Sequence, residues 1–385
     1  MSAQRVDVGS SPTGQPQTDA VPESRSVQWG ARLLNATLWF WTIVLFTFVA
    51  FTTLVFWPVK EPDLSITHDF GIGFDLSPSY ATVAVSYPNG SVQPIARVEG
   101  NGAYREMMLR LSLPSSRRIH RPYDDMGEVI GDIPRQMWRR TLMKFGIAPS
   151  RDVGTLRDMI HALRDDASSF VGEPVSAAAI SIPHLTALYG DDLHDAFELL
   201  SLIYLEFYRF WSYRPIRTTI AAYAGNGWGL CRDYRNATAC REEYELMRHQ
   251  YALAVEYTHT GLLASQADVG AANWVEEIPA REDLRLGYDA RDEASYWERV
   301  REMLLSPVVD SAILRNITMV IVSGDAAEKP RFREVLAEVI DDVAGVPHPE
   351  ILDRDPEFSA AKGTAELAKR AIFEQVGERD PVSEL

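Results

Sequence analysis

Between Leu33 and Val59 the chain carries no charged residue, and the centre of that run reads LWFWTIVLFTFVAFTTLVFW. The twenty-one residues from Thr37 to Trp57 span about 31 Å at helical rise, against a hydrocarbon thickness of about 30 Å. Trp39, Trp41 and Trp57 lie towards its ends, where indole rings prefer the headgroup level. A cleaved signal peptide fits less well, because the run and the tail before it are long and no small-x-small site follows. The expectation is one uncleaved transmembrane helix within residues 33–59. Residues 1–32, rich in Ser, Gln, Pro, Thr and Gly, read as a disordered tail.

Orientation rests on three weaker signals. Arg25 and Arg32 precede the run and only Lys60 follows it closely, a slight positive-inside bias towards a cytoplasmic N-terminus. Asn89-Gly-Ser, Asn236-Ala-Thr and Asn316-Ile-Thr fit the N-glycosylation acceptor pattern. The two cysteines, Cys231 and Cys240, lie close together in CRDYRNATAC. In an oxidising lumen they would form one local disulfide; in a cytosolic protein they would be two unpaired thiols. Zinc is disfavoured, since two thiols lack partners at ligand spacing. Together the signals place the C-terminal domain on the lumenal or extracellular side. The net charge of −16 falls almost wholly on that domain. With no Lys/Arg stripe expected to interrupt it, nucleic acid is excluded as a partner.

The domain reads as α/β. Asp69–Leu76, Ala81–Tyr87 and Val92–Val98 are strand-like, with the hairpin signal Pro88-Asn89-Gly90-Ser91 between the last two. Val175–Ile182 is a buried strand, Asp191–Tyr213 a long helix, and Tyr251–Tyr257 and Ile317–Ser323 are further strands. Helices are expected over Tyr296–Leu304, Pro330–Asp341 and Phe358–Gln375. Gly225-Asn226-Gly227-Trp228-Gly229 contains GxG without the strand-turn-helix setting that dinucleotide binding needs, and reads as a loop.

Five segments, GIGFDLSPSYATVAV, VSAAAISIPHLTAL, ALAVEYTHTGLL, ITMVIVSGDAAEKPRFREVL and DPEFSAAKGTAELAKRA, occur in an order that resembles the nucleotide-binding half of the seventy-kilodalton heat-shock chaperones. The resemblance runs from about Phe70 to Ile372. It implies an actin-like ATPase fold of two βββαβα lobes, with lobe I at 65–217, lobe II at 218–345 with a reduced helical subdomain, a C-terminal helix at 346–376 returning to lobe I, and a tail at 377–385. It also implies a nucleotide between two hairpins. On that mapping Asp75, Leu76, Ser77, Ser79 and Tyr80 form the first hairpin and Glu256, Thr258 and Thr260 the second. Gly324 and Asp325 form a third turn, with Asp355 beyond it. Asp75 and Glu256 would hold Mg²⁺ through water.

The sequence departs from the family where phosphate should sit. Ser77 puts a Cβ where the family has Gly, and Pro78 has no N–H to donate. Glu256-Tyr257-Thr258-His259-Thr260-Gly261 replaces a triple-glycine turn. Each lost hydrogen bond to a charged group forfeits about 1.5–3 kcal/mol. About 30 residues, Ala264–Ser295, remain for the helical subdomain, and the chaperones' peptide-binding domain has no counterpart. The expectation is a single-pass membrane protein with a degenerate, non-catalytic binding or scaffolding domain, an unknown protein partner, and no cofactor. One alternative retains weak binding or hydrolysis of ATP with Mg²⁺. A second reads Asp353-Arg354-Asp355 as the DxD of a lumenal glycosyltransferase. Other roles for single residues are a strand-end carboxylate at Asp75, a base at His259, and a helix N-cap at Asp355.

Overall fold

The computed structural model describes residues 39–46, 65–206, 208–209, 212–213, 215–272, 275–309, 317–343 and 348–378. The chain divides into two compact units, Met1–Pro58 and Val59–Leu385. In the first, residues 39–46 form a helix, α1. The rest of the Thr37–Trp57 run, the N-terminal tail and Asn316 lie outside the described residues. Among the described residues no helix is long and apolar enough to cross a membrane.

The second unit is mixed α/β with two mixed sheets. An antiparallel meander, β1 (Gly71–Leu76), β2 (Tyr80–Ser86) and β3 (Val92–Glu99), opens the first sheet. Helices α2 (Gly102–Leu111), α3 (Met126–Lys144) and α4 (Arg151–Val171) follow. Strand β4 (Ala177–Ile182) then pairs parallel to β1. All six residues of β1 and of β4 are buried, because each strand is covered on both faces, and such strands read as continuous apolar runs. Helix α4 shows how local signals set the ends. Ser150 Oγ accepts the Val153 N–H, and Gly172 closes the helix at φ 82°.

After α5 (Gly190–Leu199) come four two-residue strands: β5 (Ile203–Tyr204), β6 (Tyr208–Arg209), β7 (Ser212–Tyr213) and β8 (Ile216–Arg217). The long helix expected over Asp191–Tyr213 is therefore corrected. Ser201 turns the backbone to φ 49°, and the Ile203 N–H bonds the Ser176 carbonyl, which adds β5 to the sheet beside β4. Tertiary pairing overrides the helical pattern there.

Helices α6 (Thr218–Gly225) and α7 (Ala237–Leu246) lead to the second sheet, β9 (Gln250–Tyr257), β10 (Leu262–Val269), β11 (Val275–Asp283), β12 (Met319–Ser323) and β13 (Glu350–Leu352). Helix α8 (Tyr296–Val309) precedes β12, α9 (Pro330–Val343) follows it, and α10 (Ser359–Glu378) ends the described chain. The strand order of the first sheet is β3-β2-β1-β4-β5 and that of the second is β11-β10-β9-β12-β13. The same meander-then-parallel order thus occurs twice. The stretch Ala264–Ser295 contributes to β10 and forms β11, with a single helical turn at Tyr288–Ala290. The expected reduced helical subdomain is corrected to a strand pair.

Helices α6 and α10 pack against each other, α10 also on β1, β2 and β4, and α6 on β9, β10 and β12. A central apolar cluster joins Ala179, Ala221, Ala254, Ile321 and Ala368 from these elements. Small residues are required at the crossing. A Cβ on Gly363 would sit 1.8 Å from the Ala221 carbonyl oxygen, and one on Gly225 would sit 1.8 Å from that of Ser359. The Gly and Ala content of AAKGTAELAKRA is read directly in this close approach.

Candidate functional site

The duplicated order brings the β1–β2 and β9–β10 hairpin tips together, and with them most of the residues singled out from sequence. Ser77 Oγ donates to Glu256 Oε1 across 2.6 Å. Asp75 lies beside this pair, its Oδ1 accepting from Ser181 Oγ at 2.6 Å, while Thr364 on α10 donates to Ser181. Asp75, Ser77, Ser79, Tyr80, Glu256 and Thr258 are all buried, and Leu76 is a core residue. Burial is the main force on both carboxyls. It pushes Asp75 well above the usual carboxylate range, with Ser181 acting against it, and Glu256 likewise, with the charge of Asp75 adding to the rise. A cavity of about 10 Å³ behind Glu256, bordered by Thr219, Ser265 and Ser323, has about the room of one water molecule.

Seven backbone N–H groups at these turns, those of Ser77, Thr258, His259, Thr260, Gly261, Gly324 and Ala326, already have partners within the chain. Ser77 N–H bonds the Tyr80 carbonyl. In the second tip, His259 N–H bonds Asp325 Oδ1 at 3.0 Å, while Thr260 and Gly261 N–H both reach Thr258 Oγ1. In the third turn, Gly324 (φ 100°) donates to the Pro356 carbonyl and Ala326 to that of Tyr257. A phosphate needs these donors free. The space between the tips is likewise taken, since Ser77 and Glu256 are in direct contact. Phosphate and its Mg²⁺ do not fit this arrangement. Among the described residues no group of three or more His, Cys, Asp or Glu could hold a metal ion.

Arg97 on β3 is the group that sequence reasoning missed. Its guanidinium bonds Asp325 Oδ2 at 2.9 Å and Glu357 Oε1 at 2.7 Å, and lies 4.0 Å from the centre of the Tyr80 ring. Asp325 therefore has one carboxylate oxygen on the second hairpin's backbone and the other on a cation from the first sheet. No spacing signal links Arg97 to Asp325, because their proximity depends on both sheets being formed.

The remaining candidates lie apart from this cluster. Asp355 is not a side-chain N-cap. It adopts φ 47°, its carbonyl accepts the Phe358 N–H, and its carboxylate pairs with Lys362. Asp353 is 2.9 Å from Arg333, so each acid of the DxD holds a separate cation of the chain. The His259 side chain turns outward, its Nδ1 2.8 Å from Asp289 Oδ1 at the surface, while its backbone N–H stays on Asp325. Cys231 and Cys240 are bonded to each other, with Cα atoms 5.2 Å apart. Asn89 sits in the exposed β2–β3 turn and accepts from Ser91; Asn236 is exposed and caps α7 through the Ala239 N–H. The chain matches no protein-family model, and comparison with curated proteins finds no relative.

Proposed function

We propose that this chain is a membrane-anchored, non-catalytic member of the actin-like ATPase class, a binding or scaffolding domain whose nucleotide cleft is closed by its own side chains. What supports the fold reading is the strand order shared by the two sheets, with paired helices between them. What supports the loss of activity is one observation: the Asp325 carboxylate is clamped between the second hairpin and the first sheet. It takes the His259 N–H and a guanidinium from the opposite sheet. An anion clamped between a hairpin amide and an arginine is the arrangement that phosphate groups use. Here the anion is covalently part of the chain, present at effectively high local concentration. Fold likeness transfers no activity, and the self-satisfied donors argue against it.

The test is thermal unfolding of the full chain, reconstituted in nanodiscs, with and without Mg-ATP and Mg-ADP. A ligand at a hundred times its dissociation constant stabilises by about 2.7 kcal/mol. The expected result is an unchanged midpoint at millimolar nucleotide. A rise of several degrees would overturn the closed-cleft reading.

A further inference from the structure

Helix α3 presents to solvent the face that a surface helix usually buries. Its only buried residues are Asp132 and Arg139. These seat it on α5 through ions: Arg139 reaches Asp191 at 2.8 Å and Asp195 at 2.7 Å, and Arg135 bridges Asp132 to Asp191. Tyr123 donates to the same Asp132. Steps of four and three residues from Met126 pass through Ile130, Ile133, Met137, Arg140 and Lys144, one stripe of the helix opposite the ion network. Met126 is 68% exposed, Ile130 62% and Trp138 61%. Ile119 packs near Gly131 and widens the patch.

The segment of chain that carries this face is basic in sequence, although Asp152, Asp191, Asp192 and Asp195 pair with four of its arginines. From Arg105 to Arg151 there are ten Arg and Lys against five Asp and Glu, within a protein of net charge −16. The expectation that no basic stretch interrupts the acidic domain is corrected here. The outward stripe itself carries two cations and no acid.

We infer that α3 is an interfacial docking helix that lies on a phospholipid bilayer, its Met, Ile and Trp side chains in the headgroup–acyl boundary and Arg140 at the level of the lipid phosphates. Apolar side chains flanked by Trp and cations suit that boundary, where both have a solvent. A helical protein partner would bury the stripe equally well, but the exposed Arg140 in the seam position argues for phosphate above an apolar layer. The inference rests on the reading of residues 33–59 as an anchor. A span ending near Trp57 leaves thirteen residues before β1 begins at Gly71, a tether of at most ~47 Å of extended chain, so a bilayer holding residues 33–59 is within the domain's reach.

Amide hydrogen exchange of the full chain decides this, comparing phosphatidylcholine nanodiscs with amphipol. We expect exchange across α3 to slow roughly tenfold in nanodiscs while α4 stays unchanged. Adding phosphatidylserine should strengthen the effect, and the exposed double substitution Ile130→Ser with Ile133→Ser should abolish it. Equal exchange in both media would overturn the inference. So would protection in amphipol that grows with protein concentration, which would assign the face to a second copy. A chain that fails to enter nanodiscs sinks the anchor reading instead. It is then floated with phosphatidylcholine–phosphatidylserine vesicles, where binding lost in the double variant sustains the α3 inference and no binding overturns it.

Discussion

The two sheets are joined in two ways. Where α10 crosses α6, backbone meets backbone, with Gly363 against Ala221 and Gly225 against Ser359. At the hairpin tips, side chains meet instead, and they are polar: Ser77 on Glu256, Arg97 on Asp325. The first junction depends on leaving side chains out and the second on putting them in. The helix crossing is an apolar, close-packed scaffold that any two-lobed relative of this fold would need. On the proposed reading the tips are where a ligand would bind, and there the chain's own side chains meet.

The largest effect is expected at the crossing. Gly363→Val drives three heavy atoms into a carbonyl that a single Cβ would already approach to 1.8 Å. Helices α6 and α10 would have to separate, opening the central cluster, with a loss on the order of 4 kcal/mol or more. Gly102→Ala is the control, since a Cβ there meets nothing within 4 Å, and it should leave the midpoint of denaturant unfolding unchanged. Equal tolerance at the two sites would mean the helices are not in contact as described.

A smaller effect, with a defined pH window, is expected at the tips. Burial raises Asp75 from 3.8 to about 7 and Glu256 from 4.5 to about 8. The groups facing them are the Ser77, Ser181 and Thr218 hydroxyls, the phenols of Tyr80 and Tyr104, and the Asp325 carboxylate. The folded state therefore keeps protons that the unfolded chain releases near its ordinary carboxylate pKa. Stability from this pair is fully present below about pH 4 and is lost as pH rises through about 7 and then about 8. The loss between pH 6 and 9 should be on the order of 2–4 kcal/mol. Glu256→Gln keeps an acceptor for Ser77 without the charge and should flatten the slope. An unfolding midpoint that stays level over that range in the unsubstituted chain would show that the carboxyls are not held neutral.

The contrast also explains what could be read in the sequence. Strands β1, β4, β9 and β12 were legible because burial on both faces leaves an uninterrupted apolar run, and the β2–β3 turn because Asn-Gly favours it. The small residues of α10 were visible, though not which backbone they admit. The end of α5 was hidden, since LLSLIYLEFYRF suits a helix until β4 offers Ile203 a pairing partner. The tips were half legible. On the resemblance, Ser77 and Thr258 stand where the chaperone family has glycine, which marked these turns as departing from the expected phosphate site. That Ser77 meets Glu256 and Arg97 meets Asp325 depends on contacts 179 and 228 residues apart, and no local pattern encodes them.

The smallest expected effect tests whether the tips act as a unit. Asp325→Asn can still accept the His259 N–H but no longer neutralises Arg97, which keeps Glu357 and Glu99. Because the Arg97 side chain is 28% exposed, solvent screens part of the loss, and about 1 kcal/mol is expected. Arg97→Met removes the same contact from the other side, together with the stacking on Tyr80. In a double-mutant cycle the two substitutions should therefore cost less together than their sum, by about 0.5–1 kcal/mol. Simple additivity would mean that Arg97 and Asp325 are neighbours without being partners, and Asp325 would then be no substitute for a bound anion. Neither variant should gain a Mg-ATP shift, because Thr258 Oγ1 still holds the Thr260 and Gly261 amides. An Asp325→Asn protein that did bind nucleotide would identify the carboxylate alone as the block and make the closed cleft a reversible state.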